Sequence, residues 1–254
     1  MMPMSESLPR PKISVLLPAF NEEALIGDVI DTVHNSFRTV GLDSYEIIVC
    51  DNNSTDATAG RATDKGAKVV YEPHNQISRA RNKAAASSTG EWLIFIDADT
   101  LISPELLGAT INCFGSGKIC GGGSLVRFNT TKLGVVANGM LEFWNRISRL
   151  CNLAAGSYIF CYRAAWAKTG GFDETIYAGE ELRFSRKIRR WGKKKGMRFT
   201  VLTDAPVLTS ARKVEWYGGW QLIWTLVKLA VPGALKKRER CAVWYERPGA
   251  KSAG

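Results

Sequence analysis

The chain is predicted to fold as an α/β protein, with a mostly parallel central sheet flanked by helices. Short β-branched apolar runs alternate with amphipathic helical patterns, at the spacing that right-handed strand–helix–strand crossovers need. The run Trp92–Ile96 is apolar at every position, as expected of a strand covered on both faces. Acids and amides follow three of the runs, at the strand ends where open α/β sheets gather their ligands.

The elements follow in order. Ile13–Leu17 is the first strand, closed by Pro18, and a helical pattern runs from Glu22 to about Phe37. Glu46–Cys50 is the second strand. The polar string Asp51-Asn-Asn-Ser-Thr-Asp56 then supplies turn and cap residues for a helix starting near Asp56. Lys68–Tyr71 is a third, short strand, and Ile77–Ala86 a helix rich in small residues. Trp92–Ile96 is the central fourth strand, after which Asp99 or Ser103 caps a helix from Pro104 to Phe114. Ile119–Phe128 reads as a strand whose glycines, Gly121 to Gly123, either let a ligand approach the backbone or form a bulge. Leu133–Leu150 is helical, Tyr158–Cys161 a strand, and Arg163–Thr169 a short helix stopped by Gly170-Gly171. A basic helix, Glu181–Trp191, ends at Gly192, and two short strands follow, Val201–Thr203 and Pro206–Leu208.

Composition narrows the class. With 254 residues, 45% of them apolar, the chain can bury a sizeable core, as one large domain or one domain with additions. Six cysteines include no Cys-x-x-Cys pair, so buried free thiols of a reducing compartment are expected. Two histidines are too few for a histidine-rich zinc site. The first twelve residues have no signal-peptide core, and no apolar run reaches the ~18 residues of a membrane span. A cytoplasmic protein is expected. The net charge of +10 gathers late, in Arg183–Arg198 and Lys236–Arg240. No nucleic-acid motif of defined spacing accompanies it, which leaves phosphate-bearing substrates or anionic lipid as partners rather than nucleic acid. Trp216, Trp220 and Trp224 recur at helical spacing just before that basic cluster. The stretch 216–240 therefore reads either as peripheral contact with the inner face of the cell membrane or as a terminal helix packed on the domain.

The chemistry sits at the strand ends. Asp97 and Asp99 are two apart after the fourth strand, so they point to one side and suit a divalent cation with oxygen ligands. Asn21-Glu22-Glu23 follows the first strand and Asp51-Asn52 the second. Parallel strands bring all three clusters to one edge, where like charges need a cation or a donor-rich ligand between them.

In these residues the chain resembles a family 2 glycosyltransferase with the Rossmann-like GT-A fold. The resemblance covers about 12–212 and rests on Pro18-Ala-Phe-Asn-Glu-Glu23, Asp51-Asn-Asn-Ser-Thr-Asp56, Ala80-Arg-Asn82, Asp97-Ala-Asp99, Gly170-Gly-Phe-Asp-Glu174 and Gly179-Glu-Glu-Leu182. It implies a flexible 1–11, a nucleotide-sugar-binding half over 12–118, an acceptor-binding and catalytic half over 119–212, and an amphipathic basic tail, 213–254. It implies that Pro18, Ala19 and Glu22 border the base and ribose, that Asp51 accepts a hydrogen bond from the base, and that Asp97 lies beside the ribose or donor sugar. Asp99 would bind a divalent cation, Mn2+ or Mg2+, that bridges the diphosphate. Arg81 approaches the nucleotide or is a helix-surface arginine. Arg212, with Lys213, is either a diphosphate ligand on a closing loop or an exposed basic turn.

The implied activity is metal-dependent, inverting transfer of one sugar from a UDP- or GDP-sugar to a hydroxyl or phosphate acceptor, soluble or lipid-linked. The base of such enzymes comes from an acidic pair, commonly Glu-Asp, and here the pair is Glu180-Glu181. Glu181 is the expected base and Glu180 its orienting partner or second choice. The Gln-x-x-Arg-Trp motif of polymerising relatives is absent, which points to single-sugar transfer. Two other activities stay open: a sugar nucleotidyltransferase, and a non-catalytic nucleotide-sugar or membrane-binding module of the same fold.

Overall fold

The computed structural model describes residues 13–130, 134–212, 215–217, 224, 231 and 233–245. Four parallel strands form its first half: β1 (Ile13–Ala19), β2 (Tyr45–Asp51), β3 (Lys68–Tyr71) and β4 (Trp92–Ile96). They are joined by α1 (Ile26–Thr39), α2 (Thr58–Asp64) and α3 (Ile77–Ala86). The second half holds β5 (Thr100–Leu101), α4 (Pro104–Gly115), β6 (Ile119–Phe128), α5 (Val135–Cys151), β7 (Tyr158–Tyr162), α6 (Arg163–Thr169), α7 (Glu180–Lys193) and β8 (Arg198–Thr209). All eight strands make one sheet in the order β3-β2-β1-β4-β7-β6-β8-β5. The second half is mixed: β7 runs antiparallel to β4 and β6, and β5 antiparallel to β8.

Side chains alternate between two cores, as the two-residue period of a strand dictates. Val15, Leu17, Ile47, Val49, Ile94 and Ile96 pack with Val29, Val33 and Phe37 of α1 and Leu107 of α4. Leu16, Ile48, Cys50, Leu93 and Phe95 face the other way, onto Ala80 and Ala84 of α3 and Phe184 and Ile188 of α7. The register pairs Ala19 with Asp51 and Asp51 with Tyr71, so the carboxyl ends of β1, β2 and β3 are level.

Three expectations change in detail. The helix after β1 starts at Ile26, not Glu22, because Asn21 adopts φ 51° and Glu22 to Leu25 form turns. Glu22 O accepts from Leu25 N and Ile26 N, which closes that turn. The two late strands are one, β8, with a register shift against β6: Ser124 pairs with Leu202, but Val126 pairs with Val207. Pro206 lies in the extruded stretch, where its missing N–H costs no ladder hydrogen bond. The glycines of β6 serve packing. A Cβ on Gly121 would lie 2.7 Å from Phe160 O, and one on Gly123 2.9 Å from Tyr158 O.

The start of α4 is as expected, with Ser103 Oγ accepting from Leu106 N at 3.3 Å. The six cysteines are free, and of these Cys151 alone is exposed. Burial pushes the Cys50 thiol up to about 12 and that of Cys120 to about 11, and it raises Cys113, Cys161 and Cys241 as well.

Beyond β8, Lys213 and most of 216–240 lie outside the described residues, as do residues 1–12. The stretch 234–245 ends in a short helical turn, α8 (Ala242–Tyr245), and packs on the domain. Ala234, Cys241 and Tyr245 cluster with Ala178, Ile77 and Tyr177. Tyr245 Oη donates to Tyr177 O at 2.9 Å, and Tyr177 N donates to Leu235 O at 2.7 Å.

Candidate active site

The loops after β1 and β2 lock together. Asn21 Oδ1 accepts from Thr55 N (2.8 Å), Glu22 N donates to Thr58 Oγ1 (2.8 Å), and Glu23 Oε2 accepts from Ala57 N (3.0 Å). Asp51 Oδ1 accepts from Ser54 N at 3.0 Å. Asn52 is 3% exposed and ties the β2 end to the start of α3. Its amide donates to Glu72 O and His74 O and accepts from Gln76 N. Much of this polar string is thus framework that sets the rim of the site.

Two arginines supply the positive charge that the acidic edge needs. The guanidinium of Arg212 donates to Glu22 Oε2 at 2.7 Å and to Asp99 Oδ2 at 3.3 Å, with Ser210 Oγ accepting from its Nε at 3.2 Å. Burial opposes its charge, but the pull of Glu22 and Asp99 outweighs burial and raises its pKa. Arg81 projects from α3. Its Nη1 donates to Glu180 Oε1 (2.9 Å), and its Nη2 donates to Asp97 Oδ1 (2.8 Å) and Gly156 O (2.9 Å). It is 2% exposed and lies 5.2 Å from the Phe172 ring centroid. A helix-surface arginine is therefore excluded. Here too burial works against the charge, and Asp97 and Glu180 overcome it.

Glu180 and Glu181 open α7. Glu180 is spent on Arg81, whereas Glu181 lies one residue on and is partly buried. Burial first, and then the charge of Glu180, pushes the Glu181 carboxyl up to about 8, against the lowering pull of Arg81. A carboxyl with that pKa is poised for proton transfer near neutrality.

These residues line two adjoining clefts. Pro18, Ala19, Glu22, Asn52, Asp97 and Asp99 border the first. Arg81, Asp97, Glu180 and Glu181 border the second, whose far wall is apolar, with Val126, Phe128, Met140, Leu141 and Trp144. Asp97, Ile77 and Trp244 belong to both. Asp51 stands at the end of β2, 7% exposed, and its neighbour Asn52 forms the cleft wall instead. Gly121 to Gly123 line neither cleft.

Sequence reasoning missed Val243 and Trp244, which reach the site from α8, and Gly156, whose carbonyl holds Arg81. Nothing local marks them, since their partners are far along the chain.

Among the described residues, no group of three or more His, Cys, Asp or Glu side chains is placed to hold a metal ion with protein ligands alone. Mg2+ is commonly held by one or two carboxylates, with phosphate and water completing the shell. Asp99, 14% exposed on the wall of the first cleft, fits that donor set.

Comparison with known proteins defines the class. The Glycosyl transferase family 2 model matches residues 14–163, and the chain belongs to that family. Glucosyl-3-phosphoglycerate synthase of Mycolicibacterium smegmatis is 34% identical over 116 residues, which are 41% of this chain and 37% of that protein. The poly(ribitol-phosphate) beta-glucosyltransferase of Bacillus spizizenii is 33% identical over 105 residues, 38% of this chain and 16% of that protein. The matches to these relatives thus span about a third of their length or less. Among solved structures, a Pyrobaculum calidifontis mannosyltransferase in complex with GDP-Man and Mn2+ superposes with a TM-score of 0.64 at 17% identity, covering 96% of this chain and 77% of that one. The Mycobacterium tuberculosis glucosyl-3-phosphoglycerate synthase in complex with Mn2+, UDP-glucose and phosphoglyceric acid gives 0.57 at 22% identity, covering 92% and 80%. These likenesses show the fold, the GT-A arrangement of a sheet between helices.

Proposed function

We propose that the protein transfers one sugar from a UDP- or GDP-sugar to an acceptor hydroxyl or phosphate, with inversion and with Glu181 as general base. The observation that carries this reading is the pair of clefts sharing Asp97. One is walled by Glu22 and Asp99, the other by Glu180 and Glu181. A donor laid in the first would present its sugar at the junction, with the acceptor arriving from the second.

The first cleft would take the nucleoside diphosphate. Pro18 and Ala19 would border the base, and Asp51, with one hydrogen bond made, keeps lone pairs for a base N–H. Glu22 would face the ribose. Asp99 would hold Mn2+ or Mg2+, which when bound neutralises charge on the departing diphosphate. Structures of the family with Mn2+ beside GDP-mannose or UDP-glucose support both donor classes. Arg212 would exchange its carboxylate partners for phosphate oxygens, a planar bidentate match.

In the second cleft Glu181 would take the proton from the acceptor hydroxyl while Arg81 holds Asp97 and Glu180 in place. The apolar wall favours an acceptor with an apolar body, such as a lipid-linked one.

Calorimetric titration of UDP and GDP with and without manganese tests the donor half. The expected result is binding that needs the metal in the wild type and is lost in Asp99→Ala. Equal affinity in both conditions would overturn the metal role.

A further inference from the structure

Helix α5 has a second apolar face, away from the sheet. Phe143 is 67% exposed and Leu150 83%, and with Met140 and Ile147 they fall at positions 0, 3, 7 and 10 of one helical stripe. Met140 is also a wall of the second cleft. The stripe thus runs without a break from the cleft onto the outer surface. Exposed Arg146 and Arg149 flank it. Arg189 Nη1 of α7 donates to Cys151 O at 3.1 Å, which sets α7 beside the carboxyl end of α5. There α7 presents Arg186, Arg189, Arg190 and Lys193 at i, i+3, i+4 and i+7, all exposed.

We propose that this α5–α7 face docks on an anionic lipid bilayer. Large apolar side chains beside a basic rim are what an interfacial helix offers, the first entering the acyl boundary and the second meeting anionic headgroups. The occupant follows from having both. A nucleic acid would use the arginines but gain little from Phe143 and Leu150. An acidic soluble protein would not explain why the apolar stripe continues into the cleft. No helix among the described residues is long and apolar enough to cross a membrane, and the docking proposed here is peripheral. Docking in this orientation would set the mouth of the second cleft at the headgroup layer, where a lipid-linked acceptor carries its reactive end. The surface is built from α5 and α7 residues alone, and the proposal does not depend on the transfer chemistry.

Flotation of the intact protein with vesicles of phosphatidylcholine alone, or with about one quarter phosphatidylglycerol, tests it. The wild type is expected to float with the anionic vesicles only, and to be released at about 1 M salt, where the Debye length is about 3 Å. Arg146→Ala with Arg149→Ala is expected to weaken binding about 25-fold, at about fivefold per charge. Phe143→Asp with Leu150→Asp is expected to weaken it about tenfold or more. Both pairs are exposed, so the fold and UDP binding should be unchanged in either. A wild type that ignores anionic vesicles would overturn the proposal. So would a double aspartate variant that binds as the wild type does, since docking would then lie elsewhere. Capture of a short RNA that displaces the vesicles and ignores the aspartates would overturn it as well. So would a concentration-dependent dimer that the aspartates abolish, because a second copy would then be the occupant.

Discussion

Arg81 and Arg212 each join two carboxylates, and their surroundings differ. Arg81 is 2% exposed, comes from the middle of a helix and is also held by the Gly156 carbonyl. Arg212 is 24% exposed and follows the last strand at the start of a helical turn. The first is part of the frame: removing it would strand Glu180, which is 5% exposed, and leave Asp97 unpaired on the cleft wall. The second is the more open of the two, and water can reach it. The same ion-pair chemistry is thus buried in the frame at one cleft and more open beside the other, where exchange of carboxylate for phosphate is our proposal.

The largest effect is expected on the Arg81 side, from the proposed base Glu181. Glu181→Gln should slow transfer about 10²- to 10⁴-fold and leave UDP or GDP affinity unchanged. Single-turnover rates beside calorimetry separate the two. If Glu181 is not the base, the rate will hold.

Next comes Arg81 itself. Arg81→Ala leaves Asp97 and Glu180 without their partner and should cost about 3–5 kcal/mol in urea unfolding. Arg81→Lys should restore little, since a point charge cannot bridge both acids and a carbonyl. A cost below about 1 kcal/mol would erase the contrast between the two sites.

Arg212→Ala should sharpen it. Stability should fall by less than in Arg81→Ala, because Arg212 itself is 24% exposed, although Glu22 and Asp99 keep only 8% and 14%. Affinity for the nucleoside diphosphate should drop about 10- to 100-fold, the worth of a charge-assisted hydrogen bond. Equal losses in both measurements would make Arg212 a second frame residue.

The last effect is a pH dependence of stability. The folded protein keeps the Glu181 proton that an unfolded chain releases near the ordinary 4.5. Glu181 therefore lowers stability as pH rises from there through about 8. Glu181→Gln has no proton to lose, so its melting temperature should gain on the wild type across that window. The wild-type rate should rise with pH toward about 8 and the variant's should not, if Glu181 acts as the base.

The first half of the fold was readable because its signals are local. Lys68–Tyr71, Ile77–Ala86 and Trp92–Ile96 have the bounds expected of them, each set by an apolar period and a turn residue. That Asp97, Asp99 and Glu22 share an edge followed from strand direction alone. The agents that reconcile those acids did not follow, because Arg81 meets Glu180 across 99 residues and Arg212 meets Glu22 across 190. The expectation was of a cation or a donor-rich ligand between the like charges of this edge, and the two arginines add donors from the chain itself. β8 was split in two because Pro206 interrupts the pattern, and the bulge that absorbs it exists only against β6. Trp244 was unreadable as a site residue, since the sequence assigns its neighbourhood to a basic tail.

The chain's thiols bear on how it can be watched. Five are buried or half-buried, with acidities that leave little thiolate near neutrality, and the sixth, Cys151, ends α5 in the open. A maleimide dye added to the native protein should mark that position ahead of the others. The fluorophore would then sit next to Leu150, where a change in its emission reads the polarity that helix meets.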